Sequence, residues 1–125
     1  MSGTRVDHNG AHFTANGVTL APAPLQQPLP IWIGGNSRRA MARAGRFDGW
    51  FADSSDPERM TMSPDELAER VAKIGRTEAF DVVVHGYSDR ADPSAYGATW
   101  WLEDLHDRRG AFDELLALVA AGPSA

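Results

Sequence analysis

Four short polar stretches carry the residue types that can do chemistry. Gly34-Gly35-Asn36-Ser37 follows an apolar run and opens a helical one. Bare glycine amides at such a junction can receive a phosphate or the polar edge of a ring. The alternative is a tight turn that needs glycine for its backbone geometry. Lys is absent after the glycines, so this is not a P-loop, and Gly-x-Gly-x-x-Gly is not matched. His85 closes the strongest apolar run, Phe80 to Val84. A histidine there can donate a proton or bind a phosphate oxygen, or it can be a loop residue bonded to a carbonyl. His106 has the same standing. His8 and His12 lie in an N-terminal stretch where a structural or solvent-facing place is expected. Asp53 and Asp56 flank a polar loop that includes Pro57, and no His/Asp/Glu set has the spacing of a metal site. Asp48 precedes Gly49-Trp50, where a turn or cap role is expected. No Gly-x-Ser-x-Gly elbow or Ser-His-Asp spacing supports a hydrolase.

Trp100-Trp101 adds a different resource. Successive side chains of a strand face opposite ways, so one indole enters the interior and the other packs on helices. In a full barrel the inner one can wall a pocket, and Glu103, next on the strand, follows the pair to the strand end as a candidate polar group.

Positioning these residues requires alternating strands and helices. Ile31-Trp32-Ile33 is a short apolar strand broken by glycine. Asn36 or Ser37 can cap a helix with apolar positions Ala40, Met41 and Ala44. Gly49 to Ala52 is a second strand. Ser63-Pro64-Asp65-Glu66 is a capping box with proline in the first turn. Leu67, Val71 and Ile74 then share one helical face, and Gly75 stops the helix. Phe80 to Val84 is a β-branched strand. A short helix is predicted around Pro93 to Tyr96, then a strand over Thr99 to Leu102. A last helix runs from Phe112 to Ala120, with Phe112, Leu115, Leu116 and Val119 on one face and Gly122-Pro123 as its end. Before all of these, residues 1–30 read as an extended proline-rich arm, with Asn16-Gly17 as a hairpin turn and Pro22, Pro24, Pro28 and Pro30 excluding helix. The domain proper is 31–123. The alternation predicts an α/β fold with a parallel sheet.

The chain has 125 residues and no cysteine, so disulfides and thiolate chemistry are excluded. Its net charge of -5 argues against a nucleic-acid surface. No apolar run is long enough to span a bilayer, and Met1-Ser2-Gly3-Thr4 does not open a signal peptide. A cytoplasmic protein with no nucleic-acid or membrane partner is expected.

Taken together, Gly10 to Phe13, Pro22 to Pro28, Pro30 to Gly35, Arg43 to Phe51, Phe80 to Val84, Tyr96 to Glu103 and Gly122-Pro123 resemble the luciferase-like flavin monooxygenases. The resemblance covers about residues 8–123. It implies a (β/α)8 TIM barrel, of which this chain supplies about the last four strands. It also implies an oxidoreductase using FMN or F420 on a small-molecule substrate, with much of the flavin site in the first half of the barrel. By this resemblance Gly34, Gly35, Asn36 and Trp101 are candidate cofactor contacts and His85 a candidate catalytic group. Four strands leave two open edges, so a homo-oligomer or a complementary N-terminal barrel half is expected. Two other readings stay open: a non-catalytic truncated relative acting as an assembly module, and a small ligand-binding domain that takes an anion at Gly34-Gly35.

Overall fold

The structure is a computed structural model that describes residues 3–56, 58–76 and 79–122. Pro57 and Pro123, assigned above to a loop and to a helix stop, lie outside the described residues, as do Met1 and Ser2. The chain divides into two compact units, 1–30 and 31–125.

The first unit is a two-stranded antiparallel hairpin of β1 (Val6–Asn9) and β2 (Thr14–Val18). Its turn is not at Asn16-Gly17. The chain reverses at Gly10, whose N–H donates to the Phe13 carbonyl at 2.9 Å. Gly17 lies inside β2, at φ +66°, where the register slips between Val6 and His8. Asn-Gly supplies a left-handed residue, and a bulge uses that freedom as readily as a hairpin turn does. The Asp7 carboxylate accepts the Gly17 N–H at 2.6 Å and holds the bulge. Beyond β2 the proline-rich residues form neither helix nor strand.

The second unit is a four-stranded parallel sheet in the order β3 (Trp32–Gly34), β4 (Gly49–Phe51), β5 (Asp81–Gly86), β6 (Trp100–Glu103). Between the strands run α1 (Arg38–Ala44), α2 (Pro64–Ile74) and a 3-10 turn (Pro93–Tyr96), and α3 (Phe112–Ala121) follows β6. Sequential parallel strands joined by helical crossovers are the α/β arrangement of part of a (β/α)8 barrel. Among the described residues the sheet does not close, and β3 and β6 are its edges. No helix among them is long and apolar enough to cross a membrane.

The helices form where local chemistry dictates. Ser37 Oγ accepts the Ala40 N–H at 3.1 Å and caps α1, which buries Ala40 and Ala44. Ser63 Oγ accepts the Glu66 N–H at 3.2 Å and caps α2. The Glu66 carboxylate pairs with Arg70 at 2.7 Å. Gly75 ends α2 at φ +73°, in the left-handed region that favours glycine. Leu67 is buried, with Val71 and Ile74 packed beside it. These helices cover one sheet face, where Trp50, Ala52, Val82 and Val84 meet Met60, Met62 and Leu67, and Trp101 joins at the margin. Register places Trp32, Phe51, Asp81, Val83, His85, Trp100 and Leu102 on the opposite face. In a barrel that is the interior. The apolar stripe expected of α3 exists, but Phe112, Leu116 and Val119 are exposed.

Candidate functional site

The C-terminal ends of the four strands carry the polar stretches singled out in the sequence, the end where barrels place their chemistry. His85 joins three of them. Its ring stacks on Phe51, with centroids 5.3 Å apart and planes 24° apart. Nδ1 lies 2.8 Å from Asp104 Oδ2, and Nε2 accepts the Ser54 N–H at 3.2 Å. An amide only donates, so Nε2 bears the lone pair and Nδ1 the proton. His85 is thus held between the loops after β4 and β6. Asp53 Oδ1 stands 3.9 Å from Nε2. This is the carboxylate-imidazole arrangement that fixes a tautomer and leaves Nε2 as the basic nitrogen. Within the chain that nitrogen is occupied by the Ser54 amide.

The loop after β3 is stitched to its neighbour. Gly35, at φ +105°, donates its N–H to the Phe51 carbonyl at 3.3 Å, and its own carbonyl accepts from Trp50 Nε1 at 2.9 Å. The glycine therefore serves the turn geometry. Gly34 is exposed at the end of β3 on the helix-free face. Asn36 Nδ2 donates to the Asp53 carbonyl, and the Asn36 carbonyl accepts from Arg70 at 3.1 Å. The Asp53 contact orients the amide and leaves Asn36 Oδ1 buried with no protein partner. A buried acceptor without a donor is costly.

Trp101 does not share a face with His85. Its indole lies on the helix side, 6.0 Å from the Tyr96 ring, and donates to Glu103 Oε2 at 2.8 Å. Trp100 is the inward indole and is 50% exposed. It meets Trp32 at 5.7 Å, and both donate to the Asp81 carboxylate, at 3.1 and 2.9 Å. Asp48 accepts the Ile31 N–H at 2.8 Å, a strand-entry role. Asp56 accepts from the Glu58 amide at 2.9 Å and from Arg59, contacts that draw its pKa down and shape the loop.

A second network includes Glu103 and His106, both singled out in the sequence, together with Arg109 and Tyr87, which were not. The Arg109 side chain is 7% exposed and pairs with Glu103, while donating to the Asp104 carbonyl at 2.9 Å. Its guanidinium lies 4.6 Å over the ring of Tyr87. Tyr87 Oη bonds His106 Nε2 at 2.9 Å. Burial raises the Tyr87 pKa, and the nearby Glu58 charge adds to this. Burial also pushes the Glu103 carboxyl up, but the Ser88 amide, the Trp101 indole and Arg109 outweigh it and bring the pKa below the usual range. For Arg109 the sequence signal was the dense run of charges from Glu103 to Arg109. Among the described residues no cluster of three or more metal-ligating side chains occurs.

Residues 1–95 match the family of luciferase-like monooxygenases. Uncharacterized proteins of Mycobacterium tuberculosis and Mycobacterium bovis are each 32% identical over 87 residues. The match takes in 66% of this chain and 28% of theirs. The chain thus spans well under half the length of the curated relatives it matches.

Proposed function

This chain belongs to the luciferase-like monooxygenase family, and we propose that it supplies about four βα units of a flavin- or F420-dependent oxidoreductase. It works after another half has completed the sheet. The unpaired Asn36 Oδ1 carries the reading. Asn36 follows β3, and its side-chain amide bonds the loop after β4, the strand that carries Phe51 of the Phe51–His85 stack. A planar ring system with an imide N–H fits that pairing of an aromatic wall and a lone acceptor. Asn36 would accept from the ring edge, Phe51 and His85 would wall its face, and Asp104 would keep Nε2 of His85 as the basic nitrogen. When bound, the cofactor supplies the redox chemistry. The chain's own residues orient it, exclude water and hold one proton on Nδ1. The substrate is a small molecule.

One observation favours a second reading. Both ring nitrogens of His85 are engaged within the chain, as they would be in a non-catalytic assembly module.

Titration of FMN and of F420 into the purified chain, alone and with a completing half, separates the two. Quenching of cofactor fluorescence by the assembled form, weakened about 3- to 10-fold by Asn36→Leu as one hydrogen bond requires, is the expected outcome. Absence of binding in both forms removes the oxidoreductase reading.

A further inference from the structure

The second unit holds a cleft of about 1140 Å³ that the His85 site does not use. Trp101 and Glu103 of β6 line it, so it lies on the helix side of the sheet, opposite His85. Leu105, just after β6, and Leu118 and Val119 of α3 add apolar wall. The composition of α3 is at odds with its surroundings. After Asp113 and Glu114 in its first turn, residues 115–121 are all apolar. A helix that is apolar all round is normally buried, yet no residue of α3 is buried. Its cleft side therefore offers apolar surface to whatever occupies the space.

The charges around the cleft are not balanced. Arg90 pairs with Glu58 at 3.0 Å, and Arg109 pairs with Glu103. Asp89 and Asp92, on the loop after β5, are left in excess. Asp89 is 69% exposed and reaches Arg109 only at 3.4 Å. Asp92 has no ion pair among the described residues. The Ser94 hydroxyl, and then the Ser94 amide, hold its pKa below the ordinary value, so it is charged at neutral pH.

We infer that this cleft binds a small amphipathic amine, its ammonium at Asp89 and Asp92 and its apolar body against Trp101, Leu105, Leu118 and Val119. A carboxylate or phosphate would meet the excess negative charge, and the guanidinium of Arg109 is already taken by Glu103 and the Asp104 carbonyl. A ligand with no charge would use the apolar wall alone. The space is ample for a small ligand, since such pockets commonly measure about 300–1,000 Å³.

The test is a titration of the whole isotope-labelled chain with hexylamine, hexanol and hexanoate, without flavin. The reporters are the Trp101 indole N–H, which donates to Glu103 at 2.8 Å beside the cleft, and the backbone amides of Leu118 and Val119. Hexylamine should move all three resonances in the millimolar range expected of so small a ligand. Hexanol should bind roughly 3- to 10-fold more weakly, as two exposed charge contacts require, and hexanoate more weakly still. Added salt should weaken hexylamine and spare hexanol. Asp89→Asn/Asp92→Asn keeps an acceptor to cap the 3-10 turn, and should bring hexylamine down to the level of hexanol. Equal binding of hexylamine and hexanol, tighter binding of hexanoate, or unmoved resonances at about 10 mM of the amine would each overturn the inference. Because no flavin is present, the result is independent of the cofactor reading.

Discussion

Replacing Glu103 by glutamine removes the charge that balances the most deeply enclosed cation of the second unit. Arg109 is 7% exposed, and Glu103 is 30% exposed. Breaking a buried pair from one side costs roughly 3–5 kcal/mol, because the remaining charge is left without compensation. Here Asp89, at 3.4 Å, and the Asp104 carbonyl stay with the guanidinium. Glutamine also keeps one acceptor for the Ser88 amide or the Trp101 indole. The expected loss is therefore about 2 kcal/mol, which lowers a urea midpoint by about 1 M at a typical slope for this size. The pH dependence has a definite sign. The folded Glu103 carboxyl titrates below its ordinary value. Its stabilisation is thus fully present above the unfolded value, near ~4.3, and disappears as pH falls through the lower folded value. Glu103→Gln should lose stability at pH 7 and show a shallower acid decline than the unaltered chain. Urea titrations read by tryptophan emission between pH 3 and 7, on the order of that transition, decide it. Glu66→Gln is the control, since its pair with Arg70 is on the surface and is worth about 0.5 kcal/mol or less. Equal effects of the two substitutions, or parallel acid profiles for Glu103→Gln and the unaltered chain, would refute the reasoning.

Two further substitutions probe the layers on either side of the sheet. Leu67 is 1% exposed among Met60, Met62 and Val84, so Leu67→Ala should cost about 3 kcal/mol in a urea or thermal titration; a loss under about 1 kcal/mol would show that α2 is not what seals this core. Gly49→Ala would set a Cβ 2.7 Å from the Asp81 carbonyl oxygen as well as against Trp32. Backbone cannot yield there, so a loss of about 2 kcal/mol or more is expected, with altered near-ultraviolet dichroism from the displaced indole. An unchanged spectrum would mean that the place of the indole does not depend on that glycine.

The elements that were legible in the sequence are those whose signals are local. Ser63, Pro64, Leu67 and Gly75 each act within one or two turns of α2, and cap, face and stop all fall where those residues require. The short strands β3 and β4 were marked by glycine at their boundaries and by side chains too apolar for a loop. Asn16-Gly17 failed because its signal is real but ambiguous: a positive φ serves a turn and a bulge alike. The stripe on α3 shows the other limit. Periodicity tells which residues share a face and is silent on what covers them, so Phe112 and Leu116 can be periodic and exposed together.

The site was less legible because strand phase is not a property of the strand. That Trp100 and Trp101 diverge follows from the two-residue period alone. Which of them turns inward is set by register, and register is set by contacts far off in sequence. Thr99 fixes it here. Its hydroxyl accepts the Val82 N–H at 2.9 Å, and its own N–H donates to the Val82 carbonyl at 2.9 Å. With Thr99 locked to Val82, Trp100 must lie beside Val83 and Trp101 beside Val84. Val84 faces the helices, so Trp101 does too. The inward indole then reaches Asp81, and the wall beside His85 passes to Phe51 of a different strand. One threonine thus decides which indole faces inward, and nothing in the run Thr99-Trp100-Trp101-Leu102 read by itself contains that decision.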